Sequence, residues 1–245
     1  FRPFLVLFVV YLVAVFVTTS VARIIMGEIT INGASAAELG LIQLDKTFQT
    51  ESWLTLWFNY LLGLALMLAI GAEQQAGMMR MQIMSGLSRL GYTSNIVILA
   101  VFTGLVATVL VVSANLITSI DAVQATPMDI IVKVICGQLL TTVAMLLFAG
   151  LCLIFWVRSL PAAVCYVLTP MLLEPLLAWV IERYGDIPLE NYLPFAAIRK
   201  LVPLPYSFET TAAPLPLPLG PTLLCGAYCF VFALLIYLTI RRRDC

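Results

Sequence analysis

Three places in this chain carry residues equipped for chemistry. The first is the run EQQAGMMRMQIMSGLSRLGYTS, Glu73 to Ser94, which mixes Met and Ile with Gln, Arg and Ser. Glu73 opens it, where a carboxylate favours the positive end of a helix dipole. Gln74, Gln75, Gly77, Met78, Met79, Arg80 and Gln82 follow, then a break at Ser85-Gly86, then Ser88 and Arg89. Such a segment has the equipment to grip a partner surface, because methionines adapt to what they touch. The second place is Glu174, a lone carboxylate between Pro170 and Pro175 in an apolar stretch. The third is the pair Arg199 and Lys200 in a proline-rich loop.

What is missing narrows the chemistry further. The chain has no histidine. That removes His-ligated haem and zinc, and any Ser–His or Cys–His pair. There is no GxxxxGK[ST] loop, so the chain itself is not expected to bind ATP. HExxH and GxSG are also absent. We expect no catalytic residue, no metal site and no enzymatic activity. Five cysteines (Cys136, Cys152, Cys165, Cys225, Cys229) lie in apolar runs and Cys245 is the last residue; they read as small hydrophobes rather than a disulfide framework.

The elements that must position these residues are membrane helices. Of 245 residues, 62% are apolar and 11% charged, with a mean hydropathy of +1.05. A soluble domain carries about 25% charged residues, so lipid must be the solvent over much of the surface. Six runs approach the ~20 apolar residues that a crossing needs. They lie at about residues 3–26, 53–72, 95–117, 130–155, 162–181 and 221–240. The first run is too long for a signal-peptide core and lacks a small-residue cleavage site. The expected fold is an all-α membrane protein, one transmembrane domain over 1–245. Trp53, Trp57 and Tyr60 fit an aromatic belt at the start of the second run. Asn191 to Leu201 is expected to form a short helix on, or dipping into, the outer leaflet.

Charge gives a direction. Arg2, Arg80, Arg89, Arg158 and Arg241 to Arg243 fall on one side; Arg23, Lys46, Lys133, Arg183, Arg199 and Lys200 fall on the other. Cationic loops stay in the cytoplasm. The seven-to-six balance is slight, but the compact terminal RRR, with few acids on its side, places both ends inside.

The connection between the second and third runs stands out. A turn between antiparallel helices needs only a few residues, and this one uses about twenty at helical spacing. A helix resting on lipid headgroups is one reading of it. The letters also carry a resemblance. Glu73, Gly77, Ser88 and Arg89 stand where the permeases of type-2 ATP-binding-cassette (ABC) exporters have a Glu ending the second span, a Gly, and a Ser-Arg pair before the third. The six-span layout and the long outer segment before the last span are similar too. A Lys that often begins the third span in that family is here Asn95.

The resemblance implies a cytoplasmic coupling helix between spans 2 and 3. It would dock on a separate ABC ATPase subunit, which binds the ATP and Mg. It further implies a second permease subunit, as homodimer or heterodimer, in a plasma (inner) membrane. Lipids are the other expected partner, and nucleic acid is not. Glu174 would line a translocation path or gate the dimer interface, or else form a structural hydrogen bond to a neighbouring helix, for instance to a Thr or Tyr. The alternative class is a non-transporting scaffold or accessory subunit of a larger membrane complex. A secondary transporter would show inverted repeats, and none is visible.

Overall fold

A computed structural model describes residues 2–28, 30–31, 34–35, 44–77, 81–82, 84–156, 158–185, 193–202 and 219–242. Helices dominate. They are α1 (Arg2–Glu28), α2 (Leu44–Thr55), α3 (Asn59–Gln75), α4 (Arg89–Thr118), α5 (Ile120–Ala125) and α6 (Met128–Trp156). Then come α7 (Ser159–Leu168), α8 (Glu174–Gly185), α9 (Pro194–Arg199) and α10 (Leu219–Arg242). A two-residue ribbon, β1 (Thr30–Ile31) with β2 (Ala34–Ser35), pairs Thr30 with Ser35 after α1. The alternation-poor sequence there gave no sign of it.

Among the described residues, six segments are long and apolar enough to cross a membrane: Phe4–Val21, Thr47–Gln75, Arg89–Thr118, Met128–Trp156, Ser159–Ile181 and Gly220–Arg242. The second begins earlier than Trp53. α2 continues into it through a tight 3-10 turn, Leu56–Phe58, so Glu51 and Ser52 belong to the bundle rather than to a loop. Hydropathy missed this because the added turn is polar, yet its polar groups are buried against α4. The third span likewise begins at Arg89 and not at Asn95.

α6 is the hub, with 67% of its most apolar window buried. It packs against α3, α4, α7 and α10. Small residues let neighbours come close, as in membrane bundles generally. A Cβ added at Gly137 would stand 2.9 Å from the Leu201 carbonyl oxygen. One added at Gly104 on α4 would stand 2.8 Å from Val143 Cγ2. Large apolar side chains such as Val13, Phe102, Leu177 and Phe230 face outward, as lipid solvation allows.

The fifth span is broken. α7 and α8 are joined by a π-helical turn, Thr169–Leu173, in which the Glu174 N–H reaches back five residues to the Thr169 carbonyl. Pro170 and Pro175 supply no N–H to the ladder. The helix widens between them, which is how π turns commonly enter α-helices. The widened turn carries Glu174 inward, where it is only 4% exposed.

Candidate functional site

The segment between α3 and α4 is built around two glycines. Gly77 and Gly86 have φ of +70° and +102°. An added Cβ would meet nothing at either position, so the backbone angle alone accounts for glycine there. Between them, the Met81 N–H bonds the Gly77 carbonyl at 3.2 Å and the Ser85 N–H bonds the Met81 carbonyl at 2.9 Å. These are helical i→i−4 bonds. The Ser85 hydroxyl donates to the Gln82 carbonyl at 2.8 Å. Met84 is 79% exposed, and Met81 is exposed beside it. Glu73, Gln74 and Gln82 are half-buried, while Gln75 and Ser85 are exposed. Met78, Met79 and Arg80 lie outside the described residues.

Ser88 and Arg89 have distinct tasks. The Ser88 hydroxyl accepts the Gly91 N–H at 3.0 Å, an N-cap for α4. The Arg89 guanidinium donates to the backbone carbonyl of Arg241. The end of a helix leaves carbonyls without partners, and Arg89 fills one of them on α10. The start of the third span is thereby tied to the end of the sixth. A shallow pocket at this end of the bundle is lined by Glu73, Gln82, Tyr92 and Asn95.

Glu174 forms the second site. Its two carboxylate oxygens accept backbone N–H groups from α9: Phe195 at 3.0 Å and Ala196 at 2.6 Å. The residue at the local N-cap position is Leu193, which has no side chain able to cap. Pro194 follows at the first helical position, where a missing N–H costs nothing. A carboxylate 20 residues upstream of Pro194 thus does the work of a cap and meets the positive end of the helix. Glu174 lies seven residues before Ile181, about 10 Å inside the end of its span at 1.5 Å per residue. The N-terminus of α9 therefore dips into the bundle. Phe195, Ala196, Ala197 and Ile198 are buried there, and the Phe195 ring meets Phe148 of α6 edge-on at 4.8 Å. Glu174 thus hydrogen-bonds a neighbouring helix, through backbone N–H groups rather than through a Thr or Tyr side chain. Of the helix expected over Asn191 to Leu201, α9 covers Pro194–Arg199, and Asn191 and Tyr192 lie outside the described residues.

Beside α9 lies a pocket of about 140 Å³. Trp53, Trp57 and Tyr60 form one wall, from the second span. Thr141 and Met145 of α6 form another, and Pro170 and Met171 of the π turn a third. Phe195, Ile198 and Arg199 close it from α9. Arg199 and Trp57 are exposed at its mouth.

Sequence reasoning missed a seam of buried polar residues near the same end. The Ser119 hydroxyl donates to Glu51 at 2.6 Å, and the Asn115 amide donates to the Ser52 hydroxyl at 3.1 Å. The Tyr166 hydroxyl donates to the Asn59 carbonyl at 3.1 Å, and Thr142 donates to the Gln138 carbonyl at 2.8 Å. Gln138 is 1% exposed, and neither of its amide atoms has a partner among the described residues; the Thr141 hydroxyl is in the same position. Groups of this kind are ones that an internal water satisfies. A signal was present: Glu51, Thr55 and Asn59, then Asn115 and Ser119, then Gln138 and Thr142, recur at spacings of four. That spacing puts each set on one helix face.

No protein-family model, curated protein or solved structure matches this chain.

Proposed function

We propose that the chain is a transmembrane permease subunit of a type-2 ABC exporter, forming half of a translocation path and driven by a separate ATPase subunit. The observation that carries the reading is the segment from Gly77 to Arg89. Two left-handed glycines bracket a helical turn with exposed methionines, and its exit is capped by Ser88 and held by Arg89. A mere connection needs none of these devices. A docking element needs all three: a defined shape, an adaptable apolar face and a firm attachment to the spans it must move. The tie from Arg89 to Arg241 also supports an even number of crossings, with the coupling segment and the last residues on one side.

On this reading ATP and Mg are bound by the partner, and closure of two ATPases moves the Met81–Gly86 region. The shift passes directly to spans 2 and 3, and through Arg89 to span 6. One six-helix subunit does not enclose a path, so a second permease copy or a similar chain completes it. Both termini are cytoplasmic, in a plasma (inner) membrane.

The test is a cross-link. A Met84→Cys variant carrying a photoactivatable reagent is expected to capture a subunit with Walker motifs in native membranes. Arg89→Glu is expected to lower that capture and any transport with it. Capture of no ATPase, with transport or assembly unaffected by Arg89→Glu, would leave the scaffold class standing instead.

A further inference from the structure

We infer that the pocket between span 2, α6, the π turn and α9 binds an acidic phospholipid, with an acyl segment among the aromatic walls and the phosphate at Arg199. This goes beyond the exporter reading and does not depend on it.

Depth comes first. Trp53 and Trp57 stand six and ten residues inside the start of the second span, about 9 and 15 Å at 1.5 Å per residue, and their rings meet edge-on at 6.2 Å. Tryptophan and tyrosine gather at the boundary between headgroups and acyl chains. Arg199 lines the same pocket as both tryptophans, and the proposal places its guanidinium at that boundary with them. This is the level at which lipid phosphates lie.

Charge complementarity comes second. Arg199 is exposed and makes no hydrogen bond or ion pair with any described residue. The Glu174 carboxylate, whose charge Arg199 feels, has both oxygens engaged by the α9 backbone. A guanidinium at an apolar rim takes an anion with oxygens in a plane, and phosphate fits its fork.

The walls come third. They are aromatic and thioether surfaces, Trp57, Tyr60, Met145 and Met171, beside the Thr141 hydroxyl, whose oxygen has no partner among the described residues. Met171 and Trp57 are exposed, so the mouth opens on the face that lipid reaches. A soluble anion has no use for such walls, and a neutral hydrocarbon has no use for Arg199. An acidic amphiphile uses both.

The test exploits the tryptophans. The chain has four, and Trp156→Phe with Trp179→Phe leaves only Trp53 and Trp57. The purified double variant is placed in phosphatidylcholine vesicles containing either brominated phosphatidylglycerol or brominated phosphatidylcholine, and quenching is titrated. We expect the anionic lipid to quench at about fivefold lower mole fraction, the preference one cation gives near a membrane surface. Arg199→Gln should abolish that excess and Arg199→Lys should keep most of it. If Arg199→Gln fails to fold, Met171→Glu, which sets an anion at the mouth, should abolish it too. Equal quenching by both lipids overturns the proposal. So does an excess that survives the loss of Arg199, or one removed by millimolar inorganic phosphate, which would mean that the headgroup alone binds. Tryptophans shielded from both lipids would show that a second copy covers the mouth, and would overturn it as well.

Discussion

The Glu174 carboxylate accepts the Ala196 N–H at 2.6 Å, so a kinked membrane span and a short buried helix share one hydrogen-bonded joint. A charged residue at the centre of a membrane helix costs about 2.5–3.5 kcal/mol in insertion. Two charge-assisted hydrogen bonds, each contributing about 1.5–3 kcal/mol, are of the size needed to offset it. The residue's place in an apolar run is then a matter of architecture, and a polar point lining a path is not required to explain it.

Replacing that carboxylate should therefore be costly. Glu174→Ala leaves the Phe195 and Ala196 N–H groups buried without partners, at about 1–3 kcal/mol each. Glu174→Gln keeps one acceptor and should be the milder change. Thermal unfolding in detergent checks this: the midpoint should fall for both, further for Ala. Adding Leu193→Asp to Glu174→Ala should recover part of the loss by giving α9 a local cap.

Tyr166 locks the second and fifth spans together. A Cβ at Gly63 would run into the Tyr166 hydroxyl and ring. Gly63→Ala should destabilise by about 1–3 kcal/mol through overpacking, and should break the bond from Tyr166 to the Asn59 carbonyl. Tyr166→Leu removes the hydroxyl and ring edge that the added methyl would strike, so its effect should shrink in that background. A double-mutant cycle with a nonzero coupling term is the expected result. Additive effects would contradict it.

Ser119→Ala removes a hydroxyl that donates to buried Glu51. The expected loss is about 1.5–3 kcal/mol, as for other hydrogen bonds to charged groups. Ser113→Ala on the same helix makes a useful comparison, since its hydroxyl only back-bonds the exposed Val109 carbonyl. Its unfolding midpoint should stay close to that of the unaltered protein.

Arg89→Ala frees the Arg241 carbonyl. The last turn of α10 should fray, and backbone hydrogen exchange over residues 238–242 should quicken roughly fivefold, the equivalent of about 1 kcal/mol. Exchange in the middle of α6 should not change. Gly86→Ala should act differently. It strains a left-handed position by about 1–2 kcal/mol and should alter capture of an ATPase by the segment while leaving exchange at α10 intact.

Hydropathy made the six crossings legible because lipid demands long apolar runs, and the structure keeps each of them. It misplaced the second and third starts. At Thr47–Ser52 a polar turn is buried, and at Arg89–Ser94 polar residues continue a helix past its apolar part. Gly77, Gly86 and Ser88 could be picked out by type, since each does a local job that residue identity announces. Glu174 could be found but not explained, because its partners are backbone N–H groups, which no side-chain letter reveals. The contact of Arg89 with Arg241 spans 152 positions and ends on a carbonyl, so it was equally hidden. The seam through Asn59, Asn115 and Gln138 was visible as spacing, yet each residue alone looked like an isolated polar position in a membrane helix.

The dependence of α9 on Glu174 bears on how this protein can be recombined. A chimaera that imports the stretch from Pro194 to Val202 from another chain brings a helix but not its cap. It will assemble only where the recipient keeps a carboxylate at 174, or itself carries a capping residue at 193. These two positions form one heritable unit, although the chain places them 19 residues apart.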